Sequence, residues 1–155
     1  MARPTSFYYQ KPKGCGSQNC SSEVLALGTP LIYWSIFIAL FVVIAIWLKN
    51  RDTRAGLILT TIAGGYLPWF FFQKRTMFTF YVISFEPFLM LILIYLLYIY
   101  FKRAKDEKDL QRRKSIASAI GIAYLINFLY FLPIYYGAVI GYNSWFDHMW
   151  FSSWI

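Results

Sequence analysis

The sequence predicts an all-α integral membrane protein with four transmembrane helices. The chain is 59% hydrophobic and only 14% charged, whereas a soluble domain is about half apolar and about a quarter charged. So few charges cannot cover the surface of a soluble domain of 155 residues. Long apolar stretches alternate with basic connections, so lipid is the expected solvent for most of the chain.

Four stretches are apolar enough to cross a bilayer, which takes roughly 20 helical residues. They cover residues 30–48, 55–72, 77–101 and 116–140. The first is expected to begin at Pro30, after Thr29 as a cap. Glu86-Pro87 and Pro133 are expected to interrupt the third and the fourth. We therefore divide the chain into an outer polar segment (1–29), a four-helix transmembrane domain (30–140) and an outer aromatic tail (141–155).

Two small or polar features inside the spans are expected to serve helix packing. Gly64-Gly65 in the second span should permit close approach of a neighbouring helix. Asn127 in the fourth span should hydrogen-bond to another helix.

The orientation follows from the distribution of Lys and Arg, because cytoplasmic loops carry an excess of both. Ten of the fifteen basic residues lie in the connections after the first and third spans. Those ten are Lys49, Arg51, Arg54, Lys102, Arg103, Lys105, Lys108, Arg112, Arg113 and Lys114. Both termini are therefore predicted on the non-cytoplasmic side of the cell membrane. Orientation accounts for the net charge of +8, so no nucleic-acid partner is expected.

The polar head would have to cross the membrane in this orientation. Either the chain is the end of a longer protein, or it is a small free-standing membrane protein whose head crosses unaided.

Cys15 and Cys20 are the two cysteines, spaced C-x4-C in the head. An outer compartment permits a disulfide between them, with free thiols as the alternative. No metal site is expected, because zinc would need further ligands and His148, the single histidine, lies far along the chain.

The tail from Trp145 to Ile155 is dense in Trp and Phe. It is interpreted as an interfacial anchor, because such rings favour the headgroup region. The alternative is a cover over a lipid-facing or substrate groove.

Several residue strings occur in order along nearly the whole chain. They are RPTSFYY (3–9), GCG (14–16) with Cys20, LALGTP (25–30), YLPW (66–69), RTMFTFY (75–81), FEPF (85–88), HMW (148–150) and SWI (153–155). Together they resemble the C-terminal four-helix region of the bacterial protein O-mannosyltransferases, which are multi-spanning glycosyltransferases.

The resemblance implies transfer of mannose from polyprenyl-phosphate mannose to Ser or Thr of exported proteins, on the non-cytoplasmic face. The lipid-linked donor is then a substrate, and no cofactor is implied. Full-length members carry an acidic Asp-Glu pair in their first outer loop, and nothing in this chain occupies that position. No catalytic residue is therefore assigned here, and this chain alone is expected to be inactive without the N-terminal remainder of the enzyme.

Arg75 matches the motif arginine of the family, with Lys74 beside it. These cations are interpreted as the site that binds the phosphate of the lipid carrier, which suits a permanent charge with a bidentate fork. The alternative is ordinary snorkelling to the interface. Tyr81 and Phe80 stand where eukaryotic relatives often have histidines, so no histidine role carries over. Tyr81 remains a candidate for a polar groove.

Glu86 is the one acidic residue within a predicted span, where ionisable groups are costly. An unbroken helix would place it on the same face as Arg75, eleven residues earlier. It either lines, with Tyr81, a polar groove that admits the carrier, or it is a protonated side chain hydrogen-bonded near a kink.

The alternative function is a non-enzymatic membrane scaffold or a transporter accessory subunit. Transporters often contain two related repeats, and the two helix pairs of this sequence show no such repeat. The coding sequence upstream of Met1 would discriminate, because the enzyme requires further spans and an outer acidic loop there.

Overall fold

The computed structural model describes residues 5–11, 19–72 and 84–154. The chain divides into two compact units, Met1–Pro30 with Ala123–Ile155, and Leu31–Ile122. Each unit has its own apolar core. The described chain is mostly helical, as predicted.

The described part of the Leu31–Ile122 unit is built from helices. Its elements are α1 (Pro30–Asn50), α2 (Thr53–Tyr66), a 3₁₀ helix (Leu67–Phe72), α3 (Glu86–Lys102) and the first half of α4 (Glu107–Tyr136). The buried core residues come from α1, α2 and α3, and include Val43, Ala55 and Ile92, none of which is exposed to solvent. Asp52 starts α2, because its side chain accepts a hydrogen bond from the backbone N–H of Arg54 at 2.8 Å.

Two of the described helices are long and apolar enough to cross a membrane, namely α1 and α4. The start of α1 at Pro30 agrees with the prediction. The other two predicted spans correspond to α2 and α3, which have 14 and 17 residues. At about 1.5 Å per residue these helices are shorter than the roughly 30 Å of hydrocarbon in a bilayer. Four spans are therefore not confirmed.

Pro87 lies at the predicted break in the third span, whereas Pro133 does not interrupt the fourth. Helix α3 begins at Glu86, so Pro87 is in its first turn, where its missing N–H leaves no hydrogen bond unmade. Pro133 lies inside the last turn of α4, and the helix continues past it to Tyr136. Near the end of α2, by contrast, Pro68 coincides with the change to the 3₁₀ helix, where it cannot donate to the α-helical ladder.

The other unit contains a small sheet, so the chain is not wholly α-helical. Strands β1 (Thr5–Gln10) and β2 (Cys20–Ala26) are antiparallel, with a bulge between Ser6 and Tyr8. A two-residue strand, β3 (Ile140–Gly141), pairs with β2 to give the order β1-β2-β3. The polar head therefore forms a pair of strands within itself, and β2 also pairs with β3, more than a hundred residues away.

Part of the aromatic tail packs inside this unit. Helix α5 (Tyr142–Asp147) and a 3₁₀ turn (Ser152–Trp154) follow β3. Trp145, Met149 and Trp154 are buried against Leu25 of β2 and Phe131 of α4. The rings of Phe146, Trp150 and Phe151 remain exposed. These exposed rings leave part of the tail able to contact a membrane interface.

Candidate functional site

The candidate site lies where α1 and α3 begin. Glu86 is the first residue of α3, where a negative charge is favoured by the helix dipole. The hydroxyl of Tyr33, in the first turn of α1, donates a hydrogen bond to Glu86 Oε1. Both side chains are half-buried. The starts of two helices that are far apart in sequence are thus joined by a polar contact.

The end of α2 packs against the residue before Glu86. A Cβ atom added to Gly65 would lie 2.8 Å from Cβ of Phe85. The ring of Tyr66 contacts that of Phe85, with centroids 6.1 Å apart. At Gly64 an added Cβ would meet no atom within 4 Å. The expected close approach is therefore made by Gly65 and not by Gly64.

Residues 73–83 connect the 3₁₀ helix to this same end of the unit. Lys74, Arg75 and Tyr81 belong to that connection and lie outside the described residues. Their roles in binding the phosphate or lining a groove stay predictions. The predicted phosphate-binding and groove residues are Lys74, Arg75, Tyr81 and Glu86. Of these four, Glu86 is the one whose contacts the structure describes.

An unbroken helix was the condition for Arg75 and Glu86 to share one helical face, and α3 begins only after Ser84 and Phe85. Arg75 itself lies outside the described residues, so its position relative to Glu86 stays a prediction. Phe85 is the N-cap of α3, and Ser84 and Phe85 lie outside that helix. Pro87 explains this boundary, since a proline favours the first turn of a helix and disfavours its interior.

Sequence reasoning missed Tyr33. It is one of thirteen tyrosines and stands in an uninterrupted apolar stretch, where a single hydroxyl gives no pattern. Its role depends on the packing of α1 beside α3, which local sequence does not encode.

The second polar cluster lies in the unit that contains the sheet. Trp145 Nε1 donates to Glu23 Oε2 at 2.7 Å, and both residues are buried. The carbonyl oxygens of Ser144 and Tyr130 lie 2.6 and 2.8 Å from Nδ1 and Nε2 of His148. These contacts fasten α5 to β2 and to α4. The buried Ser21 hydroxyl has no hydrogen-bond partner in the described chain.

The structure describes only one of the two cysteines of the predicted disulfide. Cys20, at the start of β2, is not a free thiol. Cys15 lies outside the described residues, so the pairing of the two cysteines stays a prediction. Within residues 5–11, 19–72 and 84–154 no group of three His, Cys, Asp or Glu side chains is arranged to hold a metal ion.

No family model matches the chain, and no solved structure matches it. The chain is similar to curated proteins named polyprenol-phosphate-mannose–protein mannosyltransferase. It is 32% identical to that of Mycolicibacterium smegmatis over 149 residues, which is 94% of this chain. Identity is 27% to the proteins of Mycobacterium tuberculosis, over 94% of this chain, and Corynebacterium glutamicum, over 98%.

The chain spans between 28% and 30% of the length of these relatives. The resemblance indicated by the residue strings is confirmed, because all three relatives carry the mannosyltransferase name. The chain is thus homologous, over nearly its whole length, to part of the polyprenol-phosphate-mannose–protein mannosyltransferases.

Proposed function

We propose that the chain is the C-terminal membrane domain of a mannosyltransferase that takes mannose from polyprenyl-phosphate mannose. The acceptors are Ser and Thr hydroxyls of exported proteins, on the non-cytoplasmic face. The observation that carries this proposal is the similarity to mannosyltransferases along 94% of the chain. Helices α1 and α4, each long and apolar enough to cross a membrane, support a membrane location for the lipid-linked donor.

In this proposal Arg75 and Lys74 bind the phosphate of the donor. Negative charge builds on the phosphate oxygens as the sugar–phosphate bond breaks. A fixed guanidinium lowers the barrier when it meets that charge in a partly dry site. The segment that carries both cations is followed by Ser84 and Phe85, and then by Glu86 at the start of α3.

Glu86 and Tyr33 act in this proposal as the polar wall of the groove, together with Tyr81. One carboxylate oxygen of Glu86 already accepts the Tyr33 hydroxyl. This contact restricts rotation of the carboxylate and ties the groove to α1. The general base that deprotonates the acceptor hydroxyl comes from the acidic pair of the N-terminal remainder.

The test compares Arg75→Ala and Arg75→Lys in the full-length enzyme at matched membrane abundance. Loss of the charge contact is expected to cost about 3 kcal/mol, or on the order of a hundredfold in turnover. Arg75→Lys should also be impaired, because an ammonium lacks the planar fork. Arg112→Ala, an exposed arginine of α4, is the matched control and should retain parent activity. If both Arg75 variants keep near-parent turnover and donor affinity, Arg75 is an interfacial anchor and the proposed phosphate site is wrong.

A further inference from the structure

The end of the Leu31–Ile122 unit opposite Glu86 carries cations that lie over aromatic rings. Arg54 Cζ is 5.3 Å from the centroid of the Tyr98 ring, and Lys102 Nζ is 5.8 Å from the same centroid. We call Arg54, Lys102 and Tyr98 the basic clamp. It brings the start of α2 to the end of α3.

The Tyr98 hydroxyl contacts both cations of the clamp, and the charge of Asp52 acts on Arg54 without forming an ion pair with it. Asp52 accepts the backbone N–H of Arg54 with Oδ1 and the Tyr95 hydroxyl with Oδ2, at 2.8 and 3.1 Å. The hydrogen bond from the Arg54 N–H holds the pKa of the Asp52 carboxyl below its ordinary value. Asp109 pairs with Arg113 at 2.9 Å. Within the described parts of the chain, neither Arg54 nor Lys102 forms an ion pair with a carboxylate.

Two positive side chains that share one ring repel each other. An anion that contacts both removes the repulsion and gains two charge-assisted hydrogen bonds. Phosphate suits this arrangement, because the guanidinium fork matches two phosphate oxygens and the ammonium a third.

The surface beside the clamp is apolar and follows one face of α3. Leu91, Ile94 and Tyr98 are exposed, with Ile94 at 59%. Ile94, Tyr98 and Lys102 are spaced four residues apart, so they form one continuous stripe along the helix. Before Tyr98 the stripe is apolar, and after it the stripe is positively charged. A phospholipid has the matching order, from apolar acyl chains to a charged headgroup.

We propose that the basic clamp binds the phosphate of an anionic phospholipid, whose acyl chains lie along the Leu91–Ile94 side of α3. Phosphate chemistry alone would also admit a free phosphate ion. The apolar stripe favours the lipid, because a free ion has no chains to bury there. This site is separate from the proposed donor site and does not depend on the transfer reaction.

The test is native mass spectrometry of the full-length protein titrated with phosphatidylglycerol or phosphatidylcholine. The double variant Arg54→Gln/Lys102→Gln removes both cations. The matched control, Lys108→Gln/Lys114→Gln, removes the same charge from exposed positions of α4. The double variant should bind the first phosphatidylglycerol about thirtyfold more weakly, because it loses both charge-assisted hydrogen bonds to the one bound phosphate. The control should change little, and phosphatidylcholine binding should not respond.

Two further arms separate the lipid site from a folding defect and from a site for free phosphate. Arg54→Lys keeps the charge and loses only the guanidinium fork, so its phosphatidylglycerol affinity should lie between those of the parent and the double variant. Thermal unfolding of the double variant at the parent's temperature excludes damage to the fold as the cause. Inorganic phosphate at millimolar concentration should not displace the lipid. The proposal is overturned if the double variant binds phosphatidylglycerol like the parent, if the control weakens equally, or if inorganic phosphate displaces the lipid.

Discussion

At the scale of single residues, Gly64 and Gly65 meet different surroundings although they are neighbours in α2. Gly65 lies against Phe85, whereas the space beside Gly64 is open. The sequence offers the pair as one small-residue motif, so it cannot distinguish them. The difference arises because only one of two adjacent positions on a helix faces a given neighbour.

We expect Gly65→Ala to destabilise the protein by about 1–3 kcal/mol, because the new methyl group overpacks against Phe85. Gly64→Ala is the matched control. It should be neutral or stabilising by up to about 1 kcal/mol, since alanine favours the helix more than glycine does. Thermal unfolding of both variants in detergent measures the difference. Equal effects of the two substitutions would contradict the described packing of Phe85 on α2.

The predicted site residues differ in what supports them. Arg75 and Lys74 came from the resemblance to a family, and the similarity to mannosyltransferases supports that resemblance. Glu86 stood out by itself, as an acidic residue within an apolar stretch. Its partner Tyr33 could not be predicted, because pairing a hydroxyl of α1 with a carboxylate of α3 requires the arrangement of three helices.

At the scale of elements, the first apolar stretch was predicted most accurately. Helix α1 begins at Pro30 as expected. A proline suits the first turn, because its φ angle is already helical and the N–H that it lacks would have no partner there. The strands of the polar head were not predicted. Strand β2 pairs with β1 inside the head and also with β3 more than a hundred residues away, and no local pattern reports the second partner.

The contact between α5 and β2 allows a specific test. Trp145 donates to Glu23 in a buried setting, so Glu23→Ala leaves an indole N–H without an acceptor. The expected loss of stability is about 1–3 kcal/mol. Glu23→Gln keeps an acceptor oxygen and should lose less. Thermal unfolding followed by tryptophan fluorescence measures both. Equal losses for the two variants would show that the hydrogen bond does not stabilise the unit.

At the scale of the whole molecule, the placement of charge predicts how the chain lies in the membrane. The Tyr33–Glu86 contact and the basic clamp lie at opposite ends of α3. Helices α1 and α3 therefore begin at one end of their unit, and the connection from α1 to α2 meets the end of α3. If α1, α2 and α3 cross the membrane in alternating directions, α1 and α3 must begin on the same side. Both basic connections then lie together on the other side.

Cysteine labelling on whole cells tests the orientation. In a background with Cys15 and Cys20 replaced by serine, Lys108→Cys should not react with a membrane-impermeant reagent. Asn143→Cys, an exposed position in the tail, should react, because the C-terminal end is predicted outside. Labelling at position 108 together with protection at 143 would reverse the orientation.

Transfer of mannose is the most direct test of the proposed function. The full-length protein in membranes is supplied with polyprenyl-phosphate mannose carrying a radioactive sugar and with a Thr-rich peptide. We predict labelled peptide with the full-length protein. We predict none with the 155-residue chain alone, because the acidic pair that would deprotonate the acceptor is not in it. No labelled peptide from the full-length protein, or equal turnover by this chain alone, would contradict the account.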